Sequence, residues 1–292
     1  MQRPDVNRLI DRPLTLGESP VWDDREGVLW FVDIAEQLVL SLEPESGRLR
    51  EFRMPAQPGS LGLATGGRLV VALRSGVHLF DPRSGALDFL VHPEPSPASN
   101  RLNDGKVGPD GNFWVGSLDD RAERQPVAAL YRVTPSGEVT CITRGLRCSN
   151  GLAWSPDGGT LYHADSRGPF VQAFDFDAAR GSASNPRRLL TLTEAQGLPD
   201  GAAVDVEGFY WSAGVSAGVL NRISPEGVIV ERIPLPVAAP TMPCFGGADR
   251  RTLFVTSLAS TGPDGPEPGT VIAFRVGVAG VPVGRFGEAV AS

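Results

Sequence analysis

Cysteine and histidine are scarce in this chain, three of each among 292 residues. Cys141, Cys148 and Cys244 are too few and too irregularly spaced for a disulfide framework. No Cys-x-x-Cys or His-x-x-x-His pair occurs, which excludes a closed structural zinc site. Any metal must therefore be held mainly by oxygen. Basic excess is missing too: the net charge is -7 and the pI about 5.1. A phosphate backbone needs a basic stripe, so no nucleic-acid partner is expected. No run approaches the ~20 apolar residues of a membrane span. The opening MQRPDVNRLIDRPL lacks the apolar core of a signal peptide. A cytoplasmic protein with no membrane contact and no obligate protein partner is the expectation. Helical period is also absent beyond about two turns; LTEAQ near 192–196 reads as one short helical turn.

What is abundant is glycine (35) and proline (26), placed between aromatic and β-branched runs. That pattern reads as short strands joined by tight turns. The strands recur in pairs. One hairpin type appears at 19–33, 61–73, 106–118, 152–165, 202–214 and 245–257, and a second type follows each, with turn glycines Gly47, Gly85, Gly137, Gly181, Gly227 and Gly280. The repeat averages about 46 residues, in the range of propeller blades. The expected fold is all-β: one domain, residues 1–292, a six-bladed β-propeller with four-stranded blades. The last unit is short of an outer strand, and residues 7–16 are spare at the start. An N-terminal strand is expected to complete the last blade and close the ring, which leaves only short edges. The five tryptophans fall in or beside strands and read as packing between blades.

Four units place a polar residue at one phase ahead of a turn. Asn103 stands seven positions before Asp110, Asn150 seven before Asp157, Asp200 seven before Glu207, and Glu18 six before Asp24. Each lies just before an innermost strand, so the four converge on the channel mouth. The same phase falls at Gly59–Ser60 in blade two and at Pro243–Cys244 in blade six. Those positions offer weaker ligands, and the expected site is lopsided. Two carboxylates with amide oxygen suit Ca²⁺, Mg²⁺, Mn²⁺ or Zn²⁺. Arg101 lies two residues before Asn103 on an extended segment and points the same way. It is a candidate for binding hydroxyl or carboxylate oxygens of a ligand. Asp33 and Asp165 end strands and are expected to bond neighbouring backbone. Cys148 has no activating partner and reads as a small buried residue.

The stretches LGESPVWD, NRLNDGKVGPDGNFWVGS, SNGLAWSPDGGTLYHADS and GLPDGAAVD resemble the SMP-30/gluconolactonase/luciferin-regenerating-enzyme family from about residue 14 to 260. The resemblance implies a six-bladed propeller that holds one divalent cation and acts on a small-molecule sugar lactone. On the family pattern, Glu18, Asn150 and Asp200 match metal ligands, Arg101 and Asn103 match substrate-binding positions, and Asp200 also matches the proposed acid/base. One departure concerns a family substrate-binding glutamate after the FWVGS-like strand, where this chain reads LDDRAER. Asp119, Asp120 or Glu123 would substitute for it, or Arg121 would itself meet an anionic substrate. The reaction implied is metal-dependent hydrolysis of an aldonolactone or aldarolactone. Its rivals are a propeller esterase or organophosphate hydrolase, and a non-catalytic calcium-binding propeller.

Overall fold

The structure is a computed structural model that describes residues 5–96, 99–262 and 265–288. Six antiparallel four-stranded sheets form the blades. Their innermost strands are Gly17–Asp23, Pro58–Leu63, Asn100–Val107, Ser149–Trp154, Pro199–Val204 and Pro240–Gly246. Each of these strands packs against the next, and the sixth packs against the first, so the ring closes around a channel. Blades one to five are each built from one continuous stretch of chain. Blade six takes its outermost strand from the other end: Asn7–Arg8 pairs antiparallel with Val271–Arg275. The expected N-terminal closure is present, with an outermost strand only two residues long.

A propeller has no single core. Here the buried side chains fall into six clusters, one in each seam between neighbouring blades. Tryptophans serve those seams. Trp22 of blade one stacks on Phe254 of blade six at 5.4 Å, and Trp114 of blade three meets Trp154 and Phe176 of blade four edge-on. Trp211 of blade five likewise meets Phe245 of blade six. Such offset and edge contacts suit the ring quadrupoles. The short turn read at 192–196 is a 3₁₀ turn, Glu194–Gln196, with a reciprocal cap between Thr193 and Gln196.

Five of the six expected turn glycines adopt positive φ: Gly47, Gly85, Gly137, Gly181 and Gly227. Gly280 does not turn a hairpin. It pairs with Asp205 of blade five, and a Cβ there would collide with Phe245. The reason is the path of the C-terminal segment, which the repeat pattern did not foresee. Residues 279–287 bond Val204 and Val206, then Leu63 and Thr65, then Gly111, while Arg285 pairs with Asp23 and Asp24. All these lie at or beyond the C-terminal ends of innermost strands or in the turns that follow. The segment therefore crosses the channel end opposite the polar cluster described below. Among the described residues no helix is long and apolar enough to cross a membrane.

Candidate active site

Every innermost strand carries a one-residue register shift against its neighbour. The shifts lie between Glu18 and Val21, Pro58 and Ser60, Leu102 and Gly105, Asn150 and Ala153, Pro199 and Ala202, and Pro240 and Met242. A β-bulge re-aims side chains and bends its strand. The four polar residues are thus not strictly in phase. Glu18 and Asn150 are the last paired residues before their bulges, whereas Asn103 and Asp200 are the first residues inside theirs. Backbone geometry absorbs the difference. The residues after Glu18 and Asn150 take positive φ, +50° at Ser19 and +65° at Gly151. Ser19 is a non-glycine in a region that glycine favours, a local cost of the kind found at functional sites. The bulge also corrects the phase in blade six, which falls at Thr241 rather than Pro243–Cys244. Thr241 Oγ1 donates to Gly17 O at 2.5 Å and pairs with Thr256 Oγ1. Gly59 does occupy the blade-two position, and a Cβ there would meet Leu102 O and Asn103 O, the latter at 2.9 Å. Blades two and six therefore supply no carboxylate.

Gly151 is constrained from two directions. An added Cβ would collide with the Tyr210 hydroxyl, sit 2.9 Å from Ala164 Cβ and 3.1 Å from Asp200 O. Tyr210 OH itself donates to Gly151 O at 2.8 Å. Gly151→Ala combines a left-handed backbone penalty with overpacking, so unfolding free energy should fall by about 3 kcal/mol. A denaturant midpoint unchanged from the parent would show that the bulge does not need glycine.

Glu18 and Asp200 are both buried, and each carboxyl is held above its ordinary range, first by burial and then by neighbouring negative charge. For Glu18 the neighbours are Asp200 and Asp104; for Asp200 the neighbour is Asp104. Asp104 was not singled out from sequence, where Asn-Asp-Gly reads as a turn; strand pairing places it beside Asn103 inside the bulge. It is buried, accepts Leu152 N–H at 3.2 Å through Oδ2, and leaves Oδ1 without a partner among the described residues. Lys106 compensates Asp104, its Nζ donating to Ala202 O at 2.5 Å, while Arg101 acts on Glu18 and Arg167 on Asp200. Three carboxylates thus share a low-dielectric channel with one ammonium and the charge of two guanidiniums. Buried charge left uncompensated is costly.

The amides complete the cluster. Asn103 Nδ2 donates to Ser149 O at 3.0 Å and to Asn150 Oδ1 at 3.1 Å. Asn150 Nδ2 donates to Ser166 Oγ at 2.7 Å, and Ser166 Oγ donates to Pro199 O. Both ends of the Asn150 amide are therefore fixed, and its Oδ1 keeps a lone pair. Beneath it, Ser149 Oγ lies 2.8 Å from His163 Nε2, whose ring is buried and held neutral by burial, its pKa down at about 3. Carboxylate and imidazole groups alone form no metal-holding cluster of three among the described residues. With the Asn150 amide included, Glu18, Asn150 and Asp200 offer hard oxygen donors in surplus negative charge. That chemistry fits a divalent cation.

Arg101 reaches the same cluster: Nη1 donates to Asn103 Oδ1 at 3.0 Å, and the side chain is buried. Asp119 and Arg121, expected among the substrate-binding residues, are placed differently. Asp119 accepts from Arg121 Nε at 2.8 Å, Arg121 Nη2 at 3.1 Å and Gln125 N at 2.6 Å. Both carboxylate oxygens are spent shaping a loop, and the Arg121 pairing holds the group near about 2. Asp33 and Asp165 end the equivalent strands and do the same, each accepting several backbone N–H groups. It is Asp120 that faces Arg101, 3.5 Å from its Nε. Cys148 is buried, and burial pushes its thiol up to about 12, so it is no nucleophile at neutral pH.

A channel mouth with oxygen donors on one side and an arginine beside them defines a propeller with a polar, cation-competent site. Residues 16–259 match the family model of the SMP-30/Gluconolactonase/LRE-like region, and the chain belongs to that family. A 6-deoxy-6-sulfogluconolactonase of Pseudomonas putida is 37% identical over 93% of this chain and 95% of its own length. A regucalcin of Xenopus laevis is 34% identical over 86% of each chain. The crystal structure of a calcium-binding regucalcin from Agrobacterium tumefaciens superposes with a TM-score of 0.92 at 27% identity, covering 98% of both chains.

Proposed function

We infer that this protein is a lactonase that opens a sugar lactone to its aldonic or aldaric acid. The observation that carries the reading is the convergence of Glu18, Asn150 and Asp200 with Asn103 and Arg101 in one channel mouth, in a chain whose relatives include a named lactonase. Glu18, Asn150 and Asp200 would hold one divalent cation, of the set Ca²⁺, Zn²⁺, Mn²⁺ and Mg²⁺. When bound, such an ion supplies Lewis acidity toward the ring carbonyl and the charge that develops on it. Asn103 and Arg101 orient the hydroxyls or a carboxylate of the sugar, since one offers an amide and the other a fixed fork of donors. Asp200 takes the proton of the attacking water and passes it to the leaving ring oxygen. A positioned carboxylate that stays ionised beside the cation is suited to such a proton transfer. The C-terminal segment across the far end leaves this mouth as the entry side.

A panel of lactones, aryl esters and phosphotriesters, each assayed with the four cations, tests this. A lactone should be hydrolysed with kcat/KM about 100-fold or more above any aryl ester, worth ~2.7 kcal/mol of differential transition-state binding. Cation binding without turnover of any lactone would replace the reading with a non-catalytic one.

A further inference from the structure

We propose that the lactone carries a second anionic group, a carboxylate, sulfonate or phosphate, and that Arg74, Arg101 and Arg124 bind it at the rim beside Asp120. The inference rests on the lactonase reading and names its substrate class. Its basis is an excess of guanidinium at one sector of the mouth, in a chain whose net charge is -7. Asp120 is the acid shared by three arginines: Arg74 Nη1 at 2.6 Å, Arg101 Nε at 3.5 Å and Arg124 Nη1 at 3.7 Å. Asp120 is thus one carboxylate among three guanidiniums, with Glu18 the further acid on which Arg101 acts. Arg147 and Arg167 stand on the same rim, and neither has an acid within salt-bridge distance among the described residues. Arg147 gives a guanidinium N–H to Arg124 O at 2.6 Å, and the Arg167 charge reaches Asp200. Nearby acids do not redress the balance. Asp119 is spent on Arg121, Glu123 acts on Arg121 as well, and Asp165 is buried among backbone amides.

The cluster is continuous with the candidate metal site. Asn150 bonds Asn103, Asn103 accepts from Arg101, and Arg101 reaches Asp120. A sugar whose carbonyl lies at Glu18, Asn150 and Asp200 therefore extends its far carbons toward Arg74 and Arg124. Arg101 is buried where Arg74 is two-fifths exposed, so the anion would be read by one desolvated and two partly solvated guanidiniums. Desolvation makes a charge-assisted bond stronger, and the guanidinium fork matches all three oxyanions. Asp120 then acts as the resident counter-ion that holds the arginines in place before substrate arrives.

The test uses the full-length, cation-loaded protein with glucono-1,5-lactone and with lactones of the same ring bearing a carboxylate, a sulfonate or a phosphate at the far carbon. At least one charged lactone should exceed the neutral one in kcat/KM by about 10- to 100-fold, mainly through KM, and that advantage should shrink as salt is raised. The charged substrate that leads identifies the anion. Arg74→Gln should cut the charged-to-neutral ratio about tenfold, and Asp120→Asn should raise it. Equal or better turnover of the neutral lactone, or a preference that Arg74→Gln leaves in place, overturns this inference alone. No turnover of any of the four removes the lactonase reading and the inference with it.

Discussion

Asp200→Asn is expected to lower kcat/KM by about 1000-fold or more while the propeller remains folded. A positioned proton acceptor contributes roughly 100- to 10,000-fold to such reactions, and ~4 kcal/mol of barrier corresponds to the middle of that range. The substitution also removes a carboxylate from the proposed cation set, so the affinity for that ion should weaken in parallel. Stability should move the other way. Asp200 is buried and crowded by Asp104, and it raises the pKa of Glu18. An amide of nearly the same shape relieves that repulsion without opening a cavity. Chelated Asp200→Asn should therefore melt above the chelated parent, and Glu18 should ionise more easily in it. Opposite signs for activity and stability separate a chemical role from a structural one. Steady-state kinetics on the best lactone and thermal melts in excess chelator measure both. An active variant ends the assignment, and an inactive one that melts well below the parent makes Asp200 a structural residue instead.

The architecture was legible because propeller blades repeat: hairpin patterning, turn glycines and spare N-terminal residues all point to one closed ring. The site was legible for a related reason, since equivalent positions of a repeat converge on the axis. Three features were not. The bulges displace Glu18 and Asn150 by one residue from Asn103 and Asp200, and a one-residue shift of register has no compositional mark. Asp104 hides behind its neighbour because an Asn-Asp-Gly string reads as a turn until strand pairing shows it inside an innermost strand. Asp119, by contrast, looked available and is not. A carboxylate at a strand end has backbone amides within reach in the loop that follows, and Asp33, Asp119 and Asp165 all accept from one there. The arginine rim is assembled from three blades, so no local motif announces it.

Chelation should abolish turnover, and adding back a suitable divalent cation should restore it, with a stability change whose pH dependence has a definite sign. Without the ion, Asp200 has its pKa raised to about 8, and Glu18 shifts in the same direction. Between the ordinary carboxylate range and about 8 the native state then holds protons that the unfolded chain has released. Stability must fall as pH rises through that window. Buried His163 acts oppositely at lower pH. Its pKa is lowered from 6.5 to about 3, so the unfolded chain binds the extra proton there and acid destabilises. The informative window is therefore from about 6.5 to about 8. With the ion bound, the carboxylates are held ionised and their protons are released on binding, so affinity grows with pH. A cation at 100 times its Kd stabilises by about 2.7 kcal/mol. In a chain of this size that corresponds to a rise in Tm of roughly 5–10 °C. The gap between loaded and chelated melting curves should widen steadily across the window. A chelated protein whose Tm is flat or rises from pH 6.5 to 8 contradicts the carboxylate cluster, and activity that survives exhaustive chelation contradicts the cation.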